Sequence, residues 1–338
     1  NLVNKFRGKY DYVCIVPYSG GKDSTFQLYY VTKILNLKPL VIRFNHGFLR
    51  KVIKNNTEKT LKKLGVDFIE FTPNWKIVKK LMLESFVRKT DFCWHCHTGI
   101  YSYPTRLAIK LNIPLIIWGE PTAEFNAYYD YNEFETEDEE KFDRVHNLGI
   151  SADDMYGMIN SKEDPIDKRD LIPYTYPSKE EYLKSKITSI ELGNYVEWDY
   201  HKQFQIINKE LGWESDELEG VPPEAHQYGS KIECFMQGTR DYIKFLKRGY
   251  SRISQNMAYE IRNKNISEEK AKKLIKEEGK KPHSLEVFLE YIGLSEEEFK
   301  DIISNQVIPP HKPNFESNLF SEKTHDYDSW YKENNKKK

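Results

Sequence analysis

The chain has 338 residues, enough for one large domain or two. It carries 51 lysines and arginines against 52 aspartates and glutamates, and its formal net charge of −1 provides no global field that would attract nucleic acid or an anionic membrane. The four cysteines do not make a disulfide framework, and no signal peptide or apolar run of membrane-spanning length is present, so we expect a soluble, cytoplasmic protein without membrane insertion.

The first predicted elements are a buried strand and an amphipathic helix, joined by a glycine turn. An apolar run over residues 12–16 stops at Pro17, and beyond the turn Leu28, Val31 and Leu35 recur at helical spacing. Glycines can adopt positive φ and let backbone N–H groups approach an anion, and a helix N-terminus adds further donors and a positive dipole. The unit therefore favours a phosphate site over an ordinary βα turn.

The glycine turn reads SGGKDS. It is not a Walker A loop, which would require glycine where Val16 stands and Ser or Thr directly after the lysine. It matches, residue for residue, the SGGxDS signature of the PP-loop ATP pyrophosphatases. That resemblance implies cleavage of ATP between its α and β phosphates and adenylation of an oxygen. It also implies an ATP-binding set, which comprises Ser19, Gly20, Gly21, Lys22, Asp23 and Ser24.

Three further apolar segments predict buried strands, at Pro39–Phe44, Asp67–Phe71 and Leu115–Trp118. Helical patterns separate the strands, which is typical of right-handed βαβ units in a doubly wound parallel sheet. We therefore predict an α/β fold, and the resemblance implies the PP-loop ATP pyrophosphatase (adenine nucleotide alpha hydrolase-like) type. From Tyr182 onward the pattern is helical, which predicts a C-terminal helical region.

Polar residues follow two of these strands. Asn45 and His46 come after the second strand, and Gly119 and Glu120 after the fourth. Ligands of doubly wound sheets bind beyond the carboxyl ends of the strands, so we expect these residues to converge with the glycine turn on one ATP crevice. His46 either contacts nucleotide or substrate or hydrogen-bonds the backbone. Glu120 is expected to hold Mg²⁺ beside Asp23, because adenylation needs the ion to neutralise pyrophosphate; a plain surface glutamate is the alternative.

We predict two domains, 1–180 and 181–338. The first is expected to be the ATP-binding α/β domain, with a CxxC segment and an acidic insertion, and the second a mostly helical region that completes the substrate site. The insertion, residues 124–180, contains the acidic run DYNEFETEDEEKFD and shows no clear period. A solvated insertion or mobile flap is therefore favoured over a metal site.

The segment FCWHCH at 92–97 contains a CxxC pair, whose spacing lets two thiolates reach one ion. We expect zinc to be held by Cys93 and Cys96, with Cys234 as a third ligand. A histidine would be the fourth ligand, namely His95, His97 or His226. A single CxxC is only a half-site, so a redox pair, two buried cysteines and a catalytic thiol are alternatives. Cys14 lies within the first predicted strand and is assigned to the core.

The segment QGTRDYIKFLKRGYSR at 237–252 combines basic and aromatic residues. Its basic side chains recur at a spacing that aligns them on one helical face, and comprise Arg240, Lys244, Lys247 and Arg248. Tyr242 is interleaved with them, and Gly238-Thr239 predicts a loop directly before Arg240, which suits a second anion such as a diphosphate. An ordinary basic surface helix is the alternative.

A closer resemblance depends on several segments taken together. In order these are FNHGF at 44–48, TPNW at 72–75, FCWHCHTGIYSYP at 92–104, IIWGEP at 116–121 and the basic segment at 237–252. With the glycine turn, they make the chain similar to the bacterial N-acetyl sugar amidotransferases, PP-loop enzymes of lipopolysaccharide O-antigen and related surface-sugar biosynthesis. Members often carry a cysteine-containing segment ahead of the first strand; since eleven residues precede Tyr12, we expect that part to be absent or removed.

The resemblance implies a specific reaction. ATP would adenylate an acetamido group of a UDP-linked diacetamido sugar, and ammonia would convert that group to acetamidino, with AMP and pyrophosphate as products. Lys22, Asp23 and Glu120 would be catalytic, with Mg²⁺ at Asp23, and the basic segment would bind the UDP-sugar. Adenylation is chemically reasonable, because an amide oxygen is a poor leaving group until it becomes a phosphate ester.

The sequence also bears on the source of ammonia and on two alternative functions. None of the four cysteines has the glycine flanks of a glutaminase nucleophile elbow, and the chain does not begin with cysteine, so we expect a separate glutaminase subunit or free ammonia. A tRNA-modifying PP-loop enzyme of the thiolase or lysidine type would share the ATP loop, but the net charge of −1 argues against a nucleic-acid partner. A non-catalytic nucleotide-binding module is another alternative. Such a module would not need Lys22, Asp23 and Ser24, because it has no pyrophosphate departure to assist.

Overall fold

A computed structural model describes residues 2–120, 139–226, 228–317 and 319–335. The chain divides into two units, the first made of Asn1–Glu84 and Cys93–Glu214 and the second of Ser85–Phe92 and Ser215–Lys338. Residues 121–138, which include most of the acidic run, lie outside the described residues. From 139 onward the segment predicted as a solvated insertion or mobile flap is instead largely helical, and Met155, Leu171 and Tyr174 are buried in a core cluster with Trp94, so the prediction was wrong for this part.

The first unit contains a five-stranded parallel sheet with strand order β3-β2-β1-β4-β5. Its strands are β1 (Cys14–Pro17), β2 (Pro39–Phe44), β3 (Asp67–Phe71), β4 (Leu115–Trp118) and β5 (Thr188–Glu191). The central strands are apolar apart from Arg43 of β2, because both faces of the sheet are covered, as is usual for parallel sheets. The predicted α/β fold with a doubly wound parallel sheet is confirmed.

The helices of the first unit alternate with the strands. They are α1 (Lys22–Tyr29), extended by a π-helical turn (Tyr30–Ile34), α2 (Lys51–Leu64), α3 (Trp75–Lys89), α4 (Trp94–Lys110), α5 (Glu139–Val145), α6 (Ala152–Ile159), α7 (Lys179–Ser185) and α8 (Tyr200–Leu211). Short 3₁₀ helices cover Val3–Lys5, Lys168–Tyr174 and Leu192–Asn194. Local signals set several ends: Ser151 and Ser178 form capping boxes, and Gly65 and Gly212 end α2 and α8 in the left-handed region.

The two faces of the sheet pack against different helices. Ile15, Ile42 and Ile116 contact Ala108 of α4 in one buried cluster, whereas α1 packs against α8. The chain moves along the sheet in one direction after β1 and in the other after β3, so right-handed crossovers place α1 and α4 on opposite faces. The strand order therefore reverses between β1 and β4, which is where doubly wound sheets bind ligands.

The second unit is mainly helical. Its elements are a 3₁₀ turn (Pro223–Ala225), α9 (Gln237–Arg248), α10 (Arg252–Arg262), α11 (Glu268–Ile275), α12 (Ser284–Ile292), α13 (Glu296–Ser304) and α14 (Tyr327–Asn335). The end of α3 belongs to this unit because Phe86 stacks on Phe299 and packs edge-on against Phe288. The helical C-terminal region is as predicted. No helix within the described ranges is both long and apolar enough to cross a membrane.

The division of the chain differs from the boundary predicted at 180. Strand β5 and helix α8 follow that boundary in sequence, yet both belong to the first unit, which continues to Glu214. β5 pairs with β4 along its whole length, from Leu115–Thr188 to Trp118–Glu191. The backbone hydrogen bonds of an edge strand thus hold the segment after 180 in the α/β unit.

Candidate functional site

The glycine turn lies directly beyond β1, between Pro17 and the start of α1. Gly20 adopts φ +87°, a conformation that favours glycine. The space around it is also closed, because a Cβ at this position would lie 2.8 Å from Ile53 Cγ2 and 2.9 Å from Thr57 Oγ1. Helix α1 begins at Lys22, with Gly21 as an N-cap that provides no side-chain acceptor. The turn therefore presents backbone rather than side chain at this helix N-terminus.

Backbone N–H groups of the turn converge on two serine hydroxyls. Ser24 Oγ accepts hydrogen bonds from the N–H groups of Ser19 and Gly20, each at 3.2 Å. Gly21 N–H donates to Ser19 Oγ at 3.2 Å, and the two hydroxyl oxygens lie 3.0 Å apart. Consecutive N–H groups that point to one side of a turn, at a helix N-terminus, make a concave site for an anion. The residues predicted to bind phosphate are thus brought together.

Lys22 is a buried charge with two visible partners. Its Nζ lies 3.0 Å from Asp23 Oδ1 and 3.5 Å from the ring centroid of Tyr200, on α8, and its side chain is fully covered. An ammonium group above an aromatic face is attracted by the negative face of the ring, and this attraction is strongest away from water. Lys22 and Asp23 thus form a compact charge pair next to the glycine turn, and Tyr200 is a contact that the sequence did not indicate.

The residues after β2 are held by local hydrogen bonds. Asn45 Oδ1 accepts from Gly47 N–H at 2.9 Å, and Asn45 Nδ2 donates to Glu70 Oε1 at 3.2 Å. His46 is buried, and its Nδ1 accepts the Phe48 N–H at 3.3 Å. Burial, with contributions from His95 and Arg43, lowers the pKa of His46 to about 3. The imidazole is therefore neutral at physiological pH, with its hydrogen on Nε2.

The residues after β4 approach helix α1. Gln27 Nε2 of α1 donates to the carbonyl of Ile117, and a Cβ at Gly119 would lie 3.0 Å from Gln27 Oε1. Gly119 O in turn accepts the Gly193 N–H at 3.0 Å. Gly119 and Glu120 therefore lie at the same edge of the sheet as the glycine turn, at the switch point between β1 and β4. The role of Glu120 in holding Mg²⁺ remains a prediction.

Arg43 is a site residue that the sequence analysis missed. Its Nη1 lies 3.0 Å from Glu70 Oε2, its Nη2 donates to Thr57 Oγ1, and its Nε has no hydrogen-bond partner within the described ranges. A Cβ added at Gly20 would lie 3.0 Å from the same Nη2. The buried guanidinium group of Arg43 therefore packs against the glycine turn. The available signal was a lone arginine inside the apolar strand PLVIRF.

The predicted zinc ligands belong to different parts of the chain. Cys93 is the N-cap of α4 and Cys96 lies in its first turn, whereas Cys234 belongs to the second unit. Within the described residues, no three His, Cys, Asp or Glu side chains are grouped to hold a metal ion. The zinc site therefore remains a prediction. Cys14 is fully buried in β1, where burial raises the pKa of its thiol to about 12, as expected for a core cysteine.

Zinc binding by the CxxC pair has a direct test. We expect Cys93→Ser to lower the bound zinc from about one ion per chain to none and to lower the Tm, because a structural site contributes its binding energy to folding. Elemental analysis and thermal unfolding measure the two effects. Cys14→Ser is the control, since it disturbs packing alone and should keep its zinc. Normal zinc content in Cys93→Ser would exclude this cysteine as a ligand.

The start of the basic helix differs from the prediction. Gly238 and Thr239 do not form a loop, because α9 already begins at Gln237. A Cβ at Gly238 would lie 2.5 Å from Glu219 Oε2, and Thr239 Oγ1 lies 2.8 Å from Ser284 Oγ. The predicted loop before Arg240 was therefore wrong. The glycine allows close approach of a carboxylate, and that carboxylate also accepts the N–H of His283, at the N-terminus of α12.

The basic residues of α9 have different environments. Arg240 lies 3.5 Å from Asp91, and Lys247 Nζ donates to the carbonyl of Lys89 at 3.0 Å. The charge of Arg240, followed by burial, lowers the pKa of Lys244 to about 7. Arg248 is exposed. A substrate-binding role for this set remains a proposal.

Tyr242 and its neighbour Asp241 face the interior of the second unit. Tyr242 is buried, and burial raises its pKa to about 12. Asp241 forms a bidentate ion pair with Arg252, at 2.5 and 3.0 Å, and accepts from Gln237 Nε2 at 2.9 Å. Burial alone would raise the pKa of Asp241, but Arg252 and Lys244 outweigh it and lower the pKa. The predicted basic helix thus also carries a buried, charge-balanced network.

Residues 225–334 match a family model described as "LPS biosynthesis protein WbpG-like, C-terminal domain". No curated protein matches the chain at a significant level. Among solved structures, the chain is similar to the U34-tRNA thiolase NcsA from Methanococcus maripaludis with its 4Fe-4S cluster, at 12% identity over 78% of each chain and a TM-score of 0.33.

Proposed function

We propose that the chain, whose residues 225–334 match the C-terminal domain of WbpG-like LPS biosynthesis proteins, is an ATP-dependent amidotransferase of surface-polysaccharide (O-antigen) biosynthesis. The proposed reaction converts an acetamido group of a UDP-linked diacetamido sugar to an acetamidino group. The observation that carries the proposal is the glycine turn, where convergent N–H groups, buried Lys22 and buried Arg43 surround one helix N-terminus.

The donor set of the turn fits the phosphates of ATP. Backbone N–H groups of Ser19, Gly20 and Gly21 provide hydrogen bonds without a bulky side chain. Lys22 supplies a positive charge beside them, and Arg43 adds a second charge below the turn. Preorganised donors of this kind stabilise the charge that develops when pyrophosphate leaves, because they need no reorganisation during the reaction.

The chemistry follows from the weakness of an amide as an electrophile. The acetamido oxygen attacks the α-phosphorus of ATP, the bond to the β-phosphate oxygen breaks, and pyrophosphate departs. Ammonia then adds to the activated carbon, and AMP leaves with the original amide oxygen. One acetamido group, one ammonia and one ATP thus give one acetamidino group, one AMP and one pyrophosphate, so the step balances without an oxidant or reductant.

Metal ions and partners belong to the same proposal. Asp23 and Glu120 are the carboxylates that would hold Mg²⁺, an oxygen-seeking ion whose charge neutralises pyrophosphate, and the phosphates of ATP would provide further ligands. We also propose that Cys93 and Cys96 bind zinc. The residues that would bind the UDP-sugar are Arg240, Tyr242, Lys244, Lys247 and Arg248. Ammonia would come from a separate glutaminase subunit or from free ammonia in solution.

Mass spectrometry tests the reaction directly. The purified chain is mixed with ATP, Mg²⁺, ammonium and a panel of UDP-diacetamido sugars. We expect a product lighter by about one dalton, because oxygen is exchanged for NH, together with an equal amount of AMP. AMP formed only when RNA replaces the sugar would favour the tRNA-modifying alternative. ATP binding without AMP, even with a glutaminase present, would favour a non-catalytic nucleotide-binding module.

A further inference from the structure

Helix α8 and the residue that follows it contact the glycine turn at two points. The Tyr200 ring, in the first turn of α8, covers Lys22 Nζ at 3.5 Å. Beyond the other end of the helix, the indole Nε1–H of Trp213 donates to the carbonyl oxygen of Gly20 at 3.0 Å. Gly20 and Trp213 are 193 residues apart in the chain, so nothing local in the sequence links them.

The bond to Gly20 O has a geometric consequence for the next residue. In a trans peptide the carbonyl oxygen and the following N–H point in opposite directions. With Gly20 O directed at Trp213, the Gly21 N–H must point to the other side, and there it donates to Ser19 Oγ within the anion site. A Gly-Gly peptide resists reorientation less than others, since neither residue has a Cβ.

We propose that Trp213 is a positioning residue of the nucleotide site, which holds the Gly20-Gly21 peptide so that the Gly21 N–H faces the phosphates of ATP. The proposal rests on the proposed function, because it takes ATP as the ligand of the turn. The nucleotide site then includes the segment 200–214, which follows the predicted domain boundary at 180 but belongs to the first unit.

Trp213 is itself held firmly enough to act in this way. Gly212 ends α8 with φ +70° and turns the chain, and the Trp213 N–H then donates to Ile207 O at 3.2 Å. The side chain of Asn208 donates to Trp213 O at 3.0 Å. The next residue, Glu214, exchanges two hydrogen bonds with the side chain of Asn56 on α2, at 2.8 and 3.0 Å. The indole is fully buried. Its N–H therefore has one fixed direction.

The sharpest test removes the hydrogen and keeps the shape. Benzothienylalanine at position 213 places sulfur where the indole N–H stands, so packing is retained and the bond to Gly20 O is lost. The matched control is the same replacement at position 94, because Trp94 is also fully buried and its Nε1–H also donates to a backbone carbonyl, that of Ile150, at 3.0 Å. Trp213→Phe is a second, genetically simple variant.

Two measurements on the full chain are informative. We expect the position-213 variant to bind Mg²⁺–ATP about 3- to 10-fold more weakly, the range that corresponds to one hydrogen bond, with the position-94 variant unchanged. We also expect faster amide hydrogen exchange in the peptide covering residues 18–24 of the position-213 variant only. Both variants should lose a similar, small amount of thermal stability, so stability alone does not explain a difference between them.

The outcomes separate this proposal from the proposed function. Unchanged ATP affinity and unchanged exchange at 18–24 in the position-213 variant would overturn the role of Trp213. A wild-type chain that binds ATP but never forms AMP would overturn the amidotransferase proposal, while the affinity comparison would still decide the role of Trp213. A wild-type chain that does not bind ATP would overturn both.

Discussion

Replacing Asp23 with asparagine is expected to lower the rate of pyrophosphate release by at least about 100-fold while the fold stays intact. The carboxylate lies 3.0 Å from Lys22 Nζ and is proposed to hold Mg²⁺, so the change removes a charge at the point where pyrophosphate leaves. Asparagine has nearly the same shape, so the fold is kept, but buried Lys22 loses this charge partner and we expect a lower Tm than in the wild type. Pyrophosphate release and thermal unfolding measure the two effects.

The control for this substitution is Asp67→Asn, at the start of β3. That residue accepts a hydrogen bond from Tyr12 Oη at 2.7 Å, and it lies at the opposite end of its strand from the predicted ATP site. It should keep the wild-type rate. Retention of most of the activity in Asp23→Asn would remove Asp23 from the mechanism, whereas equal losses in both variants would point to a general effect of removing an acidic group.

Replacing Asp241 with alanine is expected to destabilise the second unit by about 3–5 kcal/mol, the usual cost of leaving one member of a buried ion pair without its partner. Asp241 and Arg252 are both largely buried, and their bidentate geometry is lost in the variant. Urea unfolding monitored by circular dichroism measures the change. Asp301→Ala, on the exposed face of α13, is the control and should change stability by less than about 0.5 kcal/mol.

The same variant has a pH signature with a definite sign. The pKa of Asp241 is lowered below its ordinary value of 3.8, so its contribution to stability is fully present above that value and is lost as pH falls through the lower, folded pKa. The difference in stability between wild type and Asp241→Ala should therefore shrink as pH falls below 3.8; near pH 7 the difference also reflects Lys244, whose pKa of about 7 includes an upward contribution from Asp241. A difference that grows in acid, or a variant as stable as Asp301→Ala at neutral pH, would contradict this account.

Local patterns predicted the strand, the glycine turn and the helix around residues 12–35 correctly. Such a unit depends on neighbours in sequence: an apolar run, two glycines and helical spacing beyond them. The loop predicted at Gly238-Thr239 was wrong for the opposite reason. In the folded chain Glu219 lies against Gly238, and Ser284 hydrogen-bonds to Thr239; both are distant in sequence, so local patterns do not reveal that the helix already includes this glycine.

The domain boundary was likewise not predictable from local sequence patterns. A composition change near 180 and a helical pattern after it indicated a new domain, but β5 completes the parallel sheet and α8 packs on α1. A short strand and an amphipathic helix carry no mark of the element with which they will pair, because pairing depends on which hydrophobic surfaces remain uncovered.

By itself, the sequence determined the α/β class, the position of the glycine turn and the identity of the residues that line it, since each depends on short-range periodicity and on the conformational freedom of glycine. Only the tertiary structure decided how the turn is held. Arg43 reaches it from β2, and Tyr200 and Trp213 reach it from the two ends of α8. These contacts arise when separate helices and strands cover one another, so their directions are properties of packing rather than of any stretch of sequence.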